Sequence, residues 1–209
     1  MKSNQMQRRR LITAMVAAGL SPWQRLLAEN ELLPVTPSDA EGPFYPIEIP
    51  RDSDNDLLRV LGMSDVSPGQ LAYVHGRVVD RRGAPIDGAR VEIWQCDQGG
   101  VYHHPGDSGS PDRRFQGFGA MVTDRAGSYH FRTLRPVPYT GRTPHIHYRV
   151  IAPGFDRLTT QLYVAEEAKR NIRDALYNRH SSEEQALVTS AFRETGGGSV
   201  AAEFNIVLG

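Results

Sequence analysis

Short segments in which apolar and polar residues alternate, each ended by a turn, constrain this fold more than any other feature of the chain. Residues 71–79 alternate in this way and so do residues 89–94, with a turn at residues 82–85 between them. Alternation places every second side chain on one face of a sheet, as in a half-buried strand. Several such strands separated by turns predict an all-β protein with a β-sandwich core.

The strand pattern continues toward the C-terminus. A turn at residues 123–128 leads into a strand at residues 129–133, and residues 146–151 and 159–164 predict two more. Residues 204–208 are expected to close the sheet. The chain holds 20 Gly and 14 Pro among 209 residues, which favours a turn-rich β fold over a helical one.

The regions around this core have a different character. Residues 29–70 are rich in Pro, Asp and Ser and have little periodicity, so we expect an N-terminal extended arm packed on the body. Residues 166–179 predict one helix and residues 182–192 a shorter one, capped by Ser181 or Ser182. The predicted fold is therefore a β-sandwich with an N-terminal arm and one or two short C-terminal helices.

The first 28 residues are typical of an export signal. They hold five basic residues, no acidic one, and an apolar run at residues 11–20 that is too short to span a bilayer. The sequence RRRLI at residues 8–12 resembles a twin-arginine signal. We expect an exported, periplasmic protein without stable membrane insertion once the signal is removed. The alternative is a cytoplasmic protein with a disordered basic tail beside a short helix.

The charge of the chain argues against nucleic-acid binding, and its cysteine content excludes an intrachain disulfide. Outside residues 1–28 the chain has 19 basic and 24 acidic residues, a net charge of −5. Such a body lacks the basic face that nucleic-acid binding needs, so no nucleic-acid partner is expected. Because Cys96 is the only cysteine, no intrachain disulfide forms and the core alone must hold the fold.

His145 and His147 form the sharpest local feature. Side chains two apart on a strand point to the same face, with Cα atoms about 6.7 Å apart, so both imidazoles can reach one metal ion. Ile146 between them would then face the opposite side, into apolar packing. The pair alone is weak support for a metal, because two surface histidines on a strand are a common alternative.

Two tyrosines, Tyr102 and Tyr139, add to this pattern. Phenolate oxygens are hard anionic ligands that favour a trivalent ion. Two phenolates and two imidazoles would hold Fe(III) with one positive charge left over. Taken singly, either tyrosine is more typical of a residue in the core or at its rim.

Six segments in one order carry a more specific signal than any single residue. They are residues 36–45 (TPSDAEGPFY), 91–95 (VEIWQ) with 100–102 (GVY), 115–119 (FQGFG), 135–139 (RPVPY), 142–147 (RTPHIH) and 160–163 (TQLY). Together they resemble the intradiol ring-cleavage dioxygenases, the family of catechol 1,2-dioxygenase and protocatechuate 3,4-dioxygenase. The resemblance runs from about Pro37 to Val164, and we interpret residues 71–209 as the catalytic β-sandwich domain.

The resemblance implies a function and a ligand set. It implies one mononuclear non-haem Fe(III) per chain, held by Tyr102, Tyr139, His145 and His147. A catechol-type aromatic diol would be cleaved by O2 between its two hydroxyl-bearing carbons, with both oxygen atoms incorporated, to a muconate-type diacid. Tyr139 would also be catalytic, because its phenolate would take up a proton from the diol as it leaves the metal.

Three further residues receive roles from the resemblance. Arg142 would bind the substrate and stabilise charge on the activated ring. Gln161 would help to hold Arg142 or a bound oxygen species, and Phe44 would line the substrate mouth. Without the resemblance, Arg142 would be interpreted as a surface residue in a turn and Gln161 as an ordinary strand residue.

One departure from the family affects the substrate. Only Thr140 and Gly141 separate Tyr139 from Arg142, a shorter connection than in the classical enzymes, so we expect a more open pocket. Catechol, protocatechuate, hydroxyquinol and larger aryl diols all stay candidates, and association into a homo-oligomer stays open.

Two other functions compete with this interpretation. Residues 74–91 and 124–129 also resemble the transthyretin-like sandwich of carboxypeptidase accessory domains, which would make the chain a binding module without catalysis. Such a module has no need of four metal ligands and Arg142. A zinc hydrolase is disfavoured, because two tyrosines without a carboxylate partner are a poor ligand set for zinc.

Overall fold

The computed structural model describes residues 32–209, which form two five-stranded sheets and a few short helices. The strands are β1 (Leu71–Asp80), β2 (Arg90–Trp94), β3 (Phe118–Val122), β4 (Ser128–Leu134), β5 (His145–Ile151), β6 (Leu158–Val164), β7 (Thr189–Ser190), β8 (Arg193–Gly196), β9 (Ser199–Glu203) and β10 (Ile206–Leu208). The α-helices are Ala168–Asn171 and Ser182–Val188, and the 3-10 helices are Ala165–Glu167 and Tyr177–Arg179. The prediction of an all-β sandwich is confirmed.

The two sheets differ in their strand pairing. In the first sheet β1 pairs antiparallel with β4 and parallel with β9 and β10, and β8 pairs with β9. The second sheet has the order β3-β2-β5-β6-β7, antiparallel except for the parallel β6–β7 pair. Strand β5 therefore lies at the centre of the second sheet, between β2 and β6.

One apolar core joins the two sheets. Ile146 and Tyr148 of β5 are fully buried in it together with Val74 of β1, and Phe131 of β4 is almost as deeply buried. Fully burying a side chain such as Ile146 contributes about 1.5–3 kcal/mol. Because side chains alternate along β5, its first and third residues face away from this core. The prediction that Ile146 packs among apolar residues is confirmed.

The arm before β1 covers that other face of the second sheet. Over residues 32–70 the arm has no strand beyond an isolated bridge. Gln161 Nε2 on β6 donates to the carbonyl oxygen of Ala40 at 2.9 Å, and Arg149 on β5 pairs with Glu41. The Arg149 guanidinium carbon also lies 3.5 Å from the ring centroid of Tyr45. These contacts hold the arm against β5 and β6.

The helix predicted over residues 166–179 is wrong, because only short helical turns occur there. The carboxylate of Asp174 accepts the backbone N–H groups of Leu176 at 2.9 Å and Tyr177 at 3.2 Å. A side chain that binds nearby backbone groups in this way competes with a continuous helix.

The second predicted helix begins where expected. Ser181 is its N-cap and forms a capping box with Glu184. The helix ends at Val188, earlier than the predicted residue 192, because residues 189–190 pair with β6 as strand β7. Pairing with a buried sheet here overrides local helix propensity.

The predicted export signal at residues 1–28 lies outside the described residues. Across residues 32–209, no helix has both the length and the apolar character needed to cross a membrane.

Candidate metal centre

The residues singled out from the sequence come together on the outer face of the second sheet, under the N-terminal arm. Contacts between neighbouring rings or polar groups link them into one cluster: Phe44, Tyr102, Tyr139, Arg142, His145, His147 and Gln161. These residues lie up to 117 positions apart in sequence. The pairing of β5 with β2 and β6, together with the loops that follow β2 and β4, brings them close in space.

The two histidines converge on one point. His145 Nε2 lies 3.1 Å from His147 Nε2, and the two residues are 2% and 1% exposed. His145 Nδ1 lies 2.7 Å from the carbonyl oxygen of Thr143. A carbonyl only accepts, so Nδ1 carries the proton and Nε2 presents its lone pair to the cluster. This arrangement is the usual way in which a protein fixes a metal-binding histidine.

Tyr102 is positioned by a loop that two aspartates organise. Asp97 Oδ1 accepts the N–H groups of Gly99 at 2.8 Å and Val101 at 3.0 Å, and Tyr102 N–H donates to Asp107 Oδ2 at 3.0 Å. The Tyr102 side chain is buried, yet its hydroxyl has no hydrogen-bond partner within residues 32–209. A buried polar group without a partner is costly, so this oxygen is suited to bind an ion.

Tyr139 and Arg142 are brought together by a tight turn. Arg142 N–H donates to the Tyr139 carbonyl at 2.9 Å, and Gly141 has φ +76°. A positive φ at the third residue is the requirement of a type II turn and favours glycine. Across this turn, Arg142 Nη1 lies 3.5 Å from Tyr139 Oη. The two-residue connection therefore places a cation beside a candidate ligand.

Phe44 is contributed by the arm. Its ring stacks on Tyr102 with centroids 4.6 Å apart, and its centroid is 6.2 Å from that of Tyr139. The side chain is half-buried. Phe44 thus lies beside both tyrosines and keeps part of its surface accessible, as a residue at a substrate mouth must.

Burial controls the protonation of all four candidate ligands. It raises the pKa of Tyr102, with a further contribution from Tyr139, and it raises the pKa of Tyr139 against the opposing effect of Arg142. Burial, followed by Arg142, lowers the pKa of His145 to about 4. Burial, followed by His145, also lowers the pKa of His147. Both imidazoles are therefore neutral, as metal binding requires, and phenolates would need a nearby cation to form.

Further residues that contact this cluster were not predicted. Trp94 packs on His147, the Tyr163 hydroxyl donates to Gln161 Oε1 at 3.1 Å and to Asp39, and Asp174 binds Arg142. Tyr163 lies inside a motif that the resemblance identified, but nothing in the sequence indicates its partners. Asp174 falls in the predicted helix, where an acidic residue is ordinarily interpreted as solvent-facing.

The donor set is one of tyrosines and histidines. Within the described part of the chain, no group of three or more His, Cys, Asp or Glu side chains has a metal-binding arrangement. Two phenols and two imidazoles fit a hard trivalent ion such as Fe(III) better than zinc, which prefers His, Cys and carboxylate ligands.

Comparison with known proteins identifies the family. The family model described as Dioxygenase matches residues 40–209. The chain is 34% identical to catechol 1,2-dioxygenase of Candida albicans over 160 residues, which is 68% of this chain and 51% of that protein. It is 35% identical to hydroxyquinol 1,2-dioxygenase of Corynebacterium glutamicum over 141 residues, 56% of this chain and 46% of that one. The chain spans about half the length of these curated relatives.

Solved structures give the same result. The dioxygenase domain of a carbohydrate-binding fusion protein from Streptomyces sp. SirexAA-E aligns with a TM-score of 0.67 and 32% identity, covering 84% of this chain and 98% of that one. The intradiol ring-cleavage dioxygenase from Tetranychus urticae aligns with a TM-score of 0.66 and 26% identity, covering 83% and 94%. These matches do not favour the transthyretin-like module. The chain belongs to the intradiol ring-cleavage dioxygenase family.

Proposed function

We propose that this protein cleaves a catechol-type aromatic diol with O2 at one Fe(III) per chain, held by Tyr102, Tyr139, His145 and His147. The observation that carries the proposal is that two imidazole Nε2 atoms lie 3.1 Å apart, in contact with two tyrosine rings and close to a part-buried arginine. Relatives named catechol and hydroxyquinol 1,2-dioxygenase support this reaction class. When bound, Fe(III) supplies a Lewis acid that withdraws electron density from the diol, so that no external reductant is needed.

The protein's own groups prepare the site for a dianionic diol. Tyr139 is only half-buried, and as a phenolate its Oη, next to Arg142, would accept a proton from the entering diol. Arg142 then stabilises negative charge on the ring from a fixed position in a largely dry site. Gln161 Oε1 accepts from Arg142 Nη2 at 2.6 Å and so restrains this cation.

The surroundings of Arg142 bear on the substrate. A cavity of about 290 Å³, at the lower end for small-molecule sites, is lined by Pro138, Tyr139, Gly141, Arg142, Thr143, Arg170, Arg173 and Asp174. Arg142 pairs with Asp174, and Arg170 pairs with Glu167 at 3.0 Å. Arg173 has no acidic partner among residues 32–209. This excess of positive charge favours a diol whose ring carries an acidic substituent.

The first experiment is the visible spectrum of the iron-loaded protein, before and after anaerobic addition of catechol. We expect a tyrosinate-to-Fe(III) absorption band that shifts with catechol and weakens in Tyr102→Phe. Admission of isotopically labelled O2 should then yield a diacid that contains both labelled atoms. A colourless iron-loaded protein that neither binds nor consumes a diol would overturn the proposal.

Export and self-association belong to the same proposal. We propose a periplasmic enzyme, on the basis of the basic and apolar segments at residues 1–28, and a homo-oligomer of undetermined size. Cell fractionation tests the first, with uncleaved cytoplasmic protein as the contradicting result. Light scattering of the purified protein tests the second.

A further inference from the structure

The Arg142 guanidinium is held at two of its three nitrogens. Its Nε donates to Asp174 Oδ2 at 2.8 Å, and its Nη2 donates to Gln161 Oε1 at 2.6 Å. Only Nη1 is left to face Tyr139 Oη, at 3.5 Å. Because the guanidinium is a rigid plane, two fixed nitrogens determine the direction of the third.

The side chain of Asp174 is itself fixed by hydrogen bonds from the backbone. Its side chain is 0% exposed, against 16% for Arg142. Besides Arg142, Oδ2 accepts the backbone N–H of Thr143 at 2.9 Å, while Oδ1 accepts from the backbone of Leu176 and Tyr177. The carboxylate therefore has a partner on every side and cannot turn away from Arg142 without leaving buried donors unpaired.

The Asp174 carboxylate is also linked to the candidate ligand His145, through Thr143. The peptide between Arg142 and Thr143 is anchored through the Thr143 N–H, and the Thr143 carbonyl accepts from His145 Nδ1 at 2.7 Å. Asp174 thus contacts no candidate ligand, but it binds Arg142 directly and is linked to His145 through the Thr143 peptide.

We propose that Asp174 is a positioning residue that sets the direction in which Arg142 presents its charge to the diol, an inference that rests on the proposed function. The acidic group comes from the segment after β6, outside the motifs that carry the ligands. Loss of its charge would remove the ion pair at Nε and leave the Gln161 contact at Nη2 as the one unaltered anchor of Arg142. A displacement of about 1 Å in such a group costs about 100-fold in rate.

The chain offers a matched control in Asn171, one turn earlier in the same segment. Its amide accepts from Thr143 Oγ1 at 2.6 Å and donates to the Val164 carbonyl at 2.9 Å, but it makes no hydrogen bond to Arg142. Asn171→Ala therefore disturbs the anchoring of the loop without removing the partner of Arg142.

The experiment compares Asp174→Asn, Asn171→Ala, Arg142→Gln and the double variant Asp174→Asn/Arg142→Gln in the iron-loaded protein, with catechol as substrate. We expect Asp174→Asn to lower kcat about 100-fold with little change in KM. Asn171→Ala should have a much smaller effect on kcat. In the Arg142→Gln background, Asp174→Asn should lower kcat far less than in the wild type, because most of its effect is exerted through Arg142 and only the remainder through Thr143 and His145. An equal loss of kcat from Asp174→Asn in both backgrounds overturns the inference.

A second measurement does not depend on turnover. In protein labelled with nitrogen-15 at arginine, the Arg142 Nε–H should exchange slowly with solvent in the wild type and Asn171→Ala, and rapidly in Asp174→Asn. Rapid exchange in the wild type contradicts the inference even if catechol is cleaved. Slow exchange together with no cleavage of any diol contradicts the proposed function and leaves the Arg142–Asp174 contact established.

Discussion

Trp94 and His147 lie face to face, with ring centroids 4.7 Å apart and planes 7° from parallel. The two residues are register partners on β2 and β5. His147 Nδ1 has no hydrogen-bond partner within the described chain, whereas His145 Nδ1 is held by the Thr143 carbonyl. The two histidines are therefore oriented by different means, one by stacking and the other by a hydrogen bond.

Loss of the stacking surface should weaken iron binding. We expect Trp94→Leu to lower iron affinity about 10- to 100-fold, the usual effect of removing a group that orients a ligand. Trp94→Phe keeps an aromatic face against His147 and removes an indole N–H that has no partner in the described part of the chain. This variant should therefore bind iron nearly as the wild type does. Chelator competition measures both, and equal affinity of Trp94→Leu and wild type would show that stacking does not orient His147.

Tyr102 should contribute little to the stability of the metal-free fold. Its hydroxyl has no hydrogen-bond partner among residues 32–209, so Tyr102→Phe should leave the free energy of unfolding of metal-free protein unchanged or slightly higher. Tyr129→Phe is the matched control, because the buried Tyr129 hydroxyl donates to the Phe204 carbonyl, and its loss should cost about 1 kcal/mol. Urea unfolding measures both. A large loss of stability in Tyr102→Phe would mean that its hydroxyl has a structural partner.

The charge around the cavity should appear as a substrate preference. We expect a carboxylated catechol to be cleaved with a higher kcat/KM than catechol at low salt. Arg173→Gln should lower the ratio of kcat/KM for the carboxylated catechol to kcat/KM for catechol about threefold, which is the effect of one exposed charge. High salt should lower this ratio similarly. Arg179→Gln removes an equally exposed charge that does not line the cavity. If it lowers the ratio as much, net charge rather than Arg173 is responsible.

Cys96 should be inert in the native protein. Burial, followed by the neighbouring Asp97, raises the pKa of its thiol from 9.0 to about 12. At pH 8 this lowers the thiolate fraction by about three orders of magnitude, and a disulfide reagent should react correspondingly slowly until denaturant is added. In the unfolded chain the Cys96 thiol ionises near pH 9, whereas in the folded protein it stays protonated up to about pH 12. The contribution of Cys96 to the free energy of unfolding is therefore full below pH 9 and is lost as pH rises toward 12. Rapid reaction of the native protein would contradict the burial of Cys96.

The alternating strands were predictable because one face of each is buried in a single core. Strands β1, β2, β4, β5 and β6 lie where the pattern indicates, within one or two residues. Strand β3 escaped prediction because FGAMV has no alternation, and β8 because all its residues are exposed. Neither strand has a pattern of its own: β3 forms by pairing with β2, more than 20 residues earlier, and β8 forms a hairpin with the adjacent strand β9.

The candidate site was predictable as a set of residues but not as a geometry. Motif order identified the seven residues, and the spacing of His145 and His147 on one strand already placed them on one face. Their orientation depends on Trp94, Thr143 and Asp174, whose contacts arise from strand register and from the return of the chain after β6.

The sequence by itself determined the fold class, the family and the identity of the candidate ligands, because side-chain alternation and motif order are local properties of the chain. Only the tertiary structure decided which groups hold those ligands in place. The buried carboxylate of Asp174 and the unpaired hydroxyl of Tyr102 acquire their roles from burial and from partners far along the chain. Long-range packing creates that environment, and no local pattern encodes it.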